Sequence, residues 1–359
     1  VIARARCLTR QAGALARVGR TGARVYGAST LSVARRARLM RVRQGYEYDE
    51  ALREGLLDPS LPDEERLRHA SRHATLEAQR RLNPDSVAPL TGEKAIFYPY
   101  CEAVGLRTPA LFGVVDVRGG GGWSHTGRVL TGAAGFADFV EHDLPDEVVV
   151  KPSGGYHGRG VRVLVRRGEG FAGAPTPAAL LASLRSDTEF GVYVFQERLH
   201  NHPVLAELCG AETLHTLRIV TLVERDGSCE ALYAVLRLGL AGGATDNFEG
   251  GLTGNGLASV DMATGALGPL KLLRDDGCGF VLVPEVPATG VGVEGVRLPD
   301  WEEAVEMTRE ATLRFAPIRT LGWDVGLTPS GPMLMEANAF WWPRSSPEQG
   351  ALVDRLKNS

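Results

Sequence analysis

The chain has 359 residues, 44% of them hydrophobic and 23% charged, which suffices for a large buried core and is ordinary for a soluble globular protein. No apolar run approaches the ~18 residues of a spanning helix. The five cysteines (7, 101, 209, 229 and 278) are scattered without a C-x-x-C pair, which argues against a disulfide framework or zinc cluster and fits a reducing, cytoplasmic compartment. The net charge of −3 hides two asymmetries: only four of the 40 basic residues are Lys (94, 151, 271 and 357), and residues 1–46 carry +11, leaving −14 on the rest.

Residues 1–46 hold eleven Arg and no acid, a pattern that predicts a helix whose Arg residues pair with the acidic body. Peripheral contact with an anionic surface stays open beside that reading. Nucleic acid is disfavoured, because no aromatics are interleaved for base stacking, and no 7–15-residue apolar segment of a secretory signal is present. From residue 47 to about 83 the period is helical, with acids at 63–65 suited to a first turn and a stop at Asn83-Pro84. Another helix is expected over 91–105. Short β-type runs follow at 110–117, 147–150, 161–165 and 192–196, with the four glycines at 119–122 read as a hairpin tip or lid. Longer strands are expected at 215–224, 229–238 and 257–261, the first two joined as a hairpin through Asp226-Gly227. Residues 300–315 read as an amphipathic helix, 322–327 and 332–336 as strands around a turn at 328–331, and a last helix ends the chain. The expectation is a helical first third and a mixed α+β body.

The most informative stretch is Val148-Val-Val-Lys151-Pro-Ser153-Gly154-Gly155-Tyr-His157-Gly158-Arg-Gly160. A β-run delivers a Lys, a glycine-rich loop follows, and a second β-run leaves. Glycines let backbone N–H groups close on phosphate oxygens without Cβ obstruction, and Lys151 can reach the same phosphates as a point charge. The Lys precedes the glycines and a strand follows them, so neither a P-loop nor a dinucleotide fingerprint is present. A hairpin folding over a nucleotide is the expectation.

Near the other end, Asp324, Glu336 and Asn338 place three oxygen donors on two adjacent strands, with Met333, Met335 and Ala337 alternating with them. Carboxylates and an amide without His or Cys suit Mg²⁺ held together with nucleotide phosphates. Acids on one face of an apolar hairpin need a compensating cation.

Together these segments resemble the ATP-grasp superfamily of carboxylate–amine ligases, and within it the sugar-transfer-associated branch, over roughly residues 45–345. The resemblance is carried by Gly92-Glu-Lys94 opening a helix that ends in Val104-Gly-Leu-Arg-Thr-Pro109, Val149-Val-Lys151-Pro with its loop, Gln196-Glu197-Arg-Leu199, Thr213-Leu-His-Thr-Leu-Arg218-Ile-Val-Thr221, Arg237 with Asp246-Asn247-Phe-Glu-Gly-Gly251, and Asp324 with Glu336-Ala-Asn338. It implies an α+β ATP-grasp fold, two α+β lobes gripping ATP, behind a basic helical N-terminal region. The implied division is residues 1–90 for that region, 91–195 for the lobe with the Gly-rich loop, and 196–359 for the lobe with the metal site.

The resemblance also implies roles. Lys94 and Lys151 would bind the α- and β-phosphates of ATP, with Ser153, Gly154, Gly155, Gly158 and Gly160 closing over them. Gln196, Glu197 and the backbone around Leu199 would form the adenine-binding hinge. Asp324, Glu336 and Asn338 would hold Mg²⁺, while Arg218 and Arg237 act near the γ-phosphate and the reacting carboxylate. The ribose-binding acid stays open, with Glu207 a candidate. The first ~90 residues lack the βαβ pre-domain that many ATP-grasp ligases use for substrate, so acceptor recognition has no template. The expected chemistry is phosphorylation of a small-molecule, glycan or peptide carboxylate and its coupling to an amine. A kinase on the same scaffold and a non-catalytic nucleotide binder are the alternatives. His157, His215 and Trp341-Trp342 stand as further candidates near phosphate or acceptor.

Overall fold

The structure, a computed structural model, describes residues 2–155, 158–210, 212–240, 242–243, 245–342 and 348–359, with side chains from Arg10 onward. Helices come first. α1 (Ile2–Tyr26) and α2 (Thr30–Gln44) meet through small residues: a Cβ at Gly22 would stand 2.7 Å from Val33. The long helical period of residues 47–83 resolves into α3 (Tyr48–Arg53), α4 (Asp63–Arg66) and α5 (Arg72–Leu82). Gly55 at φ +75° and the prolines at 59 and 62 break it. Ser71 restarts it, its Oγ accepting from the Ala74 amide at 3.1 Å as an N-cap. Two more helices, α6 (Pro89–Gly92) and α7 (Lys94–Ala103), precede the first strand.

The body contains two antiparallel seven-stranded sheets. The first is built from β1 (Leu111–Asp116), β2 (Gly121–Ser124), β3 (Val129–Thr131), β4 (Glu147–Pro152), β5 (Arg162–Arg167), β6 (Gly170–Phe171) and β7 (Val192–Glu197), in the order β3-β2-β1-β7-β4-β5-β6. Helices α8 (Gly132–His142) and α9 (Pro177–Arg185) cover one face, packing Phe136, Phe139, Leu180 and Leu184 on Val148, Val150 and Phe195. The glycines at 119–122 form the turn and first residues of the β1–β2 hairpin, as expected.

After α10 (Pro203–Cys209) come β8 (Thr216–Val223), β9 (Cys229–Leu238), β10 (Gly256–Val260), β11 (Leu267–Leu273), β12 (Phe280–Val283), α11 (Trp301–Arg314), β13 (Thr320–Thr328), β14 (Gly331–Asn338) and α12 (Glu348–Asn358). This second sheet runs β12-β11-β10-β9-β8-β13-β14. Its inner face buries Leu217, Ile219, Trp323 and Val325 against Ala304, Ala311 and Phe315 on and just after α11. On the opposite face α5 and α12 cover Val220, Leu222, Tyr233 and Val235. The rest of that face turns toward the first sheet.

Strict alternation along β14 does not hold. Asp324 pairs with Glu336, but Val325 pairs with Leu334, so Met335 is an extra, bulged residue. Leu334 and Ala337 therefore both enter the core while Glu336 and Asn338 face the cleft. The N-terminal helices bury a core of their own, with Val18, Val33, Met40, Leu52 and Leu57 packed on Cys278. Of the eleven N-terminal Arg residues, Arg17 and Arg41 find carboxylates among the described residues, at Asp49 (2.6 Å) and Glu47 (2.7 Å), both at the start of the acidic remainder and on or beside α3.

Candidate active site

A cleft of about 1320 Å³ lies between the two sheets. Its floor is a row of charged and polar side chains crossing adjacent strands: Arg237 on β9, Arg218 on β8, Asp324 on β13, Glu336 and Asn338 on β14. Register places Asp324 opposite Arg218 on one side and Glu336 on the other. Arg218 grips Asp324 with two nearly parallel bonds, Nε to Oδ1 at 2.5 Å and a terminal nitrogen to Oδ2 at 3.0 Å. Arg237 adds a third, to Oδ2 at 3.1 Å. Burial pushes the Asp324 carboxyl up, but the two guanidiniums outweigh it and hold the group below the usual carboxylate range. Arg218 is raised for the reciprocal reason, against its own desolvation.

The roof comes from the first sheet. β4 alternates so that Val148 and Val150 enter the core while Val149 and Lys151 face the cleft beside Val163 and Val165 of β5. Lys94 reaches in from the first turn of α7, buried at 5% exposure, donating to Gly155 O at 3.0 Å and standing 3.6 Å from Glu336 Oε1. Desolvation first and the Lys94 charge second pull the Lys151 ammonium down to about 8. Two lysines and two arginines thus converge where phosphate oxygens would neutralise them.

The described glycines of the loop approach both Glu93 and Thr245. Gly154 passes so close to Glu93 that a Cβ would lie 2.8 Å from its carboxylate, and one at Gly158 (φ +71°) would meet Thr245 at 2.5 Å. Gly154, Gly155 and Gly158 line the cleft. Ser153 does not: it is 2% exposed, with its hydroxyl donating to Glu93 (2.7 Å) and accepting from the Ala95 amide (3.1 Å), so it caps α7. Gly160 packs its α-carbon near Pro152 outside the lining. His157 lies outside the described residues.

At the other end of the cleft, Gln196, Glu197 and Leu199 line the wall. Gln196 is fully buried, its amide beside the Tyr98 hydroxyl. The Glu197 carboxylate accepts from the Ala110 amide at 3.1 Å. Glu207 is exposed on α10 and does not line the cleft; Glu212 does. His215 is buried, its Nδ1 accepting from the Gly239 amide at 3.1 Å, and burial pushes it down to about 4. It does not line the cleft. The tryptophan pair divides: Trp341 is core, packed on Tyr233 and donating to Thr320 Oγ1 at 3.1 Å, whereas Trp342 is 40% exposed in the cleft mouth.

Sequence reasoning passed over two cleft residues. Asp246, quoted only within a motif, is buried and accepts from both the amide and the hydroxyl of Thr216, each at 2.6 Å. Burial lifts its carboxyl to about 6, against Arg237 and the Thr216 hydroxyl. Arg72, one Arg among many in the helical region, enters the mouth beside Trp342.

Among the described residues no three His, Cys, Asp or Glu side chains converge on a metal position. The donors that fit a hard cation are Glu336 and Asn338, which face the cleft together; both Asp324 oxygens are taken by guanidiniums.

The cleft, its loop and its paired sheets define a nucleotide-gripping class of protein, and the sequence agrees: the description of the sugar-transfer associated ATP-grasp family matches residues 73–358. The chain belongs to that family. No curated protein matches it. Among solved structures it is similar to D-alanine–D-alanine ligase from Bacillus anthracis, 11% identical over 75% of this chain and 68% of that one, with a TM-score of 0.40. Phosphoribosylamine–glycine ligase from Thermotoga maritima is 15% identical over 72% of this chain and 50% of that one, with a TM-score of 0.39. Biotin carboxylase from Campylobacter jejuni is 9% identical over 75% and 46%, with a TM-score of 0.43. The chain spans about half the length of the last two.

Proposed function

We propose that the protein is an ATP-dependent carboxylate–amine ligase. The observation that supports this best is the meeting of Lys94, Lys151, Arg218 and Arg237 with Glu336 and Asn338 in one cleft roofed by apolar strands and a glycine loop. Val149, Val163 and Val165 offer an apolar bed for a base beside Gln196 and Glu197. Lys94 and Lys151 neutralise the phosphates. Glu336 and Asn338 would hold Mg²⁺, which when bound supplies further charge neutralisation on the phosphates.

In the first step a substrate carboxylate oxygen attacks the γ-phosphorus, the bond between that phosphorus and the β–γ bridging oxygen breaks, and ADP leaves. An amine then attacks the acyl carbon, the bond to phosphate breaks, and the nitrogen loses a proton to solvent, giving amide and phosphate. Asp324 keeps Arg218 and Arg237 fixed on the floor, so the charge that develops during transfer meets donors already in place. No protein nucleophile is required.

The test is incubation with ATP, Mg²⁺ and pools of candidate carboxylates in hydroxylamine. Hydroxamate together with ADP supports the ligase. ADP release with a stable phosphate ester would replace it by a phosphotransferase, and no turnover with any pool by a nucleotide-binding scaffold.

A surface role accompanies the catalytic one. On α1 the exposed residues Arg10, Arg17, Arg20 and Arg24 form one stripe within about 80° of arc, and on α2 Leu31, Arg35, Arg38 and Val42 form another within about 60°, at 100° per residue. Leu31 is 81% and Val42 73% exposed. Arginines interleaved with exposed aliphatics suit an anionic lipid surface. No helix among the described residues is long and apolar enough to cross a membrane.

A further inference from the structure

One residue of the N-terminal helical region, Arg72, is exposed at the edge of the cleft. Arg72 opens α5 and lays its guanidinium 3.8 Å over the ring centroid of Trp342. Both line the cleft, on the start of α5 and on the chain just beyond Asn338. From Asn338 to Trp342 is four residues, at most about 13 Å of extended chain.

The stack is held from behind. Gln79 on α5, fully buried, donates to Trp341 O at 2.8 Å. Asn83, at 1% exposure, donates to Ala339 O at 2.6 Å and Thr320 O at 2.8 Å while accepting from the Arg319 and Thr320 amides. These bonds fasten the chain leaving β14 to α5 without help from the Arg72 side chain. At the other end, the Arg72 amide donates to the buried Glu50 carboxylate at 2.9 Å, which ties the helix start to α3.

A guanidinium stacked on an aromatic face uses its π-surface and leaves its in-plane N–H fork free. Among the described residues no carboxylate lies within ion-pair distance of that fork. A preorganised Arg fork at the edge of a cleft matches a bidentate oxyanion.

We propose that Arg72, held on Trp342, is an anion subsite at the cleft mouth that takes a carboxylate of the acceptor substrate, the N-terminal helices thereby supplying the recognition that a separate domain supplies elsewhere. Its naming as an acceptor subsite rests on the ligase reading; the binding of the anion does not.

The experiment is calorimetric titration of the full chain with malonate, with ADP saturating so that the phosphate cradle is filled. Wild type binds malonate saturably, and Arg72→Ala and Arg72→Gln weaken it at least tenfold. Arg72→Lys also weakens it, because an ammonium lacks the fork. Titrating phosphate in place of malonate tells a tetrahedral anion from a planar one, and tighter phosphate binding overturns the carboxylate assignment. ADP affinity of the same variants stays at the wild-type value, which also reports that they fold. Malonate binding by Arg72→Ala within twofold of wild type, or none by wild type, overturns the subsite. Failure of ADP to bind wild type overturns the nucleotide reading instead and leaves the malonate result standing by itself.

Discussion

An ammonium that titrates near pH 8, as at Lys151, is half committed to losing its proton in the free cleft. Polyphosphate favours the protonated form, so binding raises the pKa. The sign follows: nucleotide affinity is at its full value below pH 8 and falls above it, by up to tenfold per pH unit, until the pKa of the bound state is reached. ADP titrations between pH 6.5 and 9.5 should show this fall in wild type and a weak, flat profile in Lys151→Ala; a flat wild-type profile refutes the assignment. Lys151→Arg should not restore turnover, because a planar fork does not replace a compact ammonium.

Asp324 makes a different prediction. Asn at that position leaves two buried guanidiniums facing a neutral amide, and breaking a buried ion pair costs about 3–5 kcal/mol. Asp324→Asn should lower the denaturant midpoint accordingly, whereas Glu336→Gln should leave the midpoint near wild type and abolish turnover. Activity in Glu336→Gln would show that the floor is structural only. These residues were legible because scarce chemistry marked them: a Lys in an Arg-rich chain, acids on an apolar hairpin. Arg72 was illegible for the converse reason, as one of many arginines whose place depends on a stack formed across the fold.

Among elements, the glycine loop carries the clearest constraint. Gly158 sits at φ +71° with Thr245 filling the space a Cβ would need. Left-handed backbone costs an L-residue roughly 1–2 kcal/mol, so Gly158→Ala should weaken ADP binding at least several-fold, read by fluorescent-nucleotide titration, while the melting temperature changes little. Gly127→Ala is the control, since it has a similar φ of +80° and open space around it but lies away from the cleft. Unaltered ADP affinity in Gly158→Ala would mean the loop does not close on nucleotide in this form.

The elements around the loop were read with uneven success, and the reasons are local. The β8–β9 hairpin announced itself by Asp226-Gly227, β4 by an unbroken run of valines and β7 by alternating valines and aromatics. β11 contains Pro269 and Lys271, and β12 is four residues long with Val281 and Leu282 exposed, so neither shows alternation. α8 carries two glycines in its first turn, Gly132 and Gly135, which weaken the helical signal, and is held by Phe136 and Phe139 in the core. α9 did carry a signal, Thr176 before Pro177, with the Thr hydroxyl accepting from the Ala179 amide. The single N-terminal helix became two because Gly27 and the Ser29 cap turn the chain.

At the scale of the molecule, charge is separated: the helical layer is strongly basic and the remainder acidic. The Arg stripes predict co-sedimentation with phosphatidylserine vesicles at low salt, weakening above about 0.15 M as the Debye length shrinks. Neutral vesicles should not bind. Leu31→Glu combined with Arg35→Glu and Arg38→Glu should abolish binding while leaving ADP affinity unchanged; equal binding of neutral vesicles, or no effect of the triple variant, removes the surface role. Binding of nucleic acid in preference to vesicles would assign the stripe to a different partner.

The bulge at Met335 has a consequence for which sequences can carry this site. Without it, residues 334 and 336 would share a face, and Glu336 would follow Leu334 beneath α11. One uncounted residue thus lets the same strand be hydrocarbon on one side of the bulge and ionic on the other. A single-residue deletion there would trade places between a ligand and a packing group throughout the rest of the strand, while longer changes in the loop between β12 and α11 would leave the row intact. Relatives that preserve the cleft should vary freely in length between residues 284 and 300 and hold constant the interval from Asp324 to Asn338.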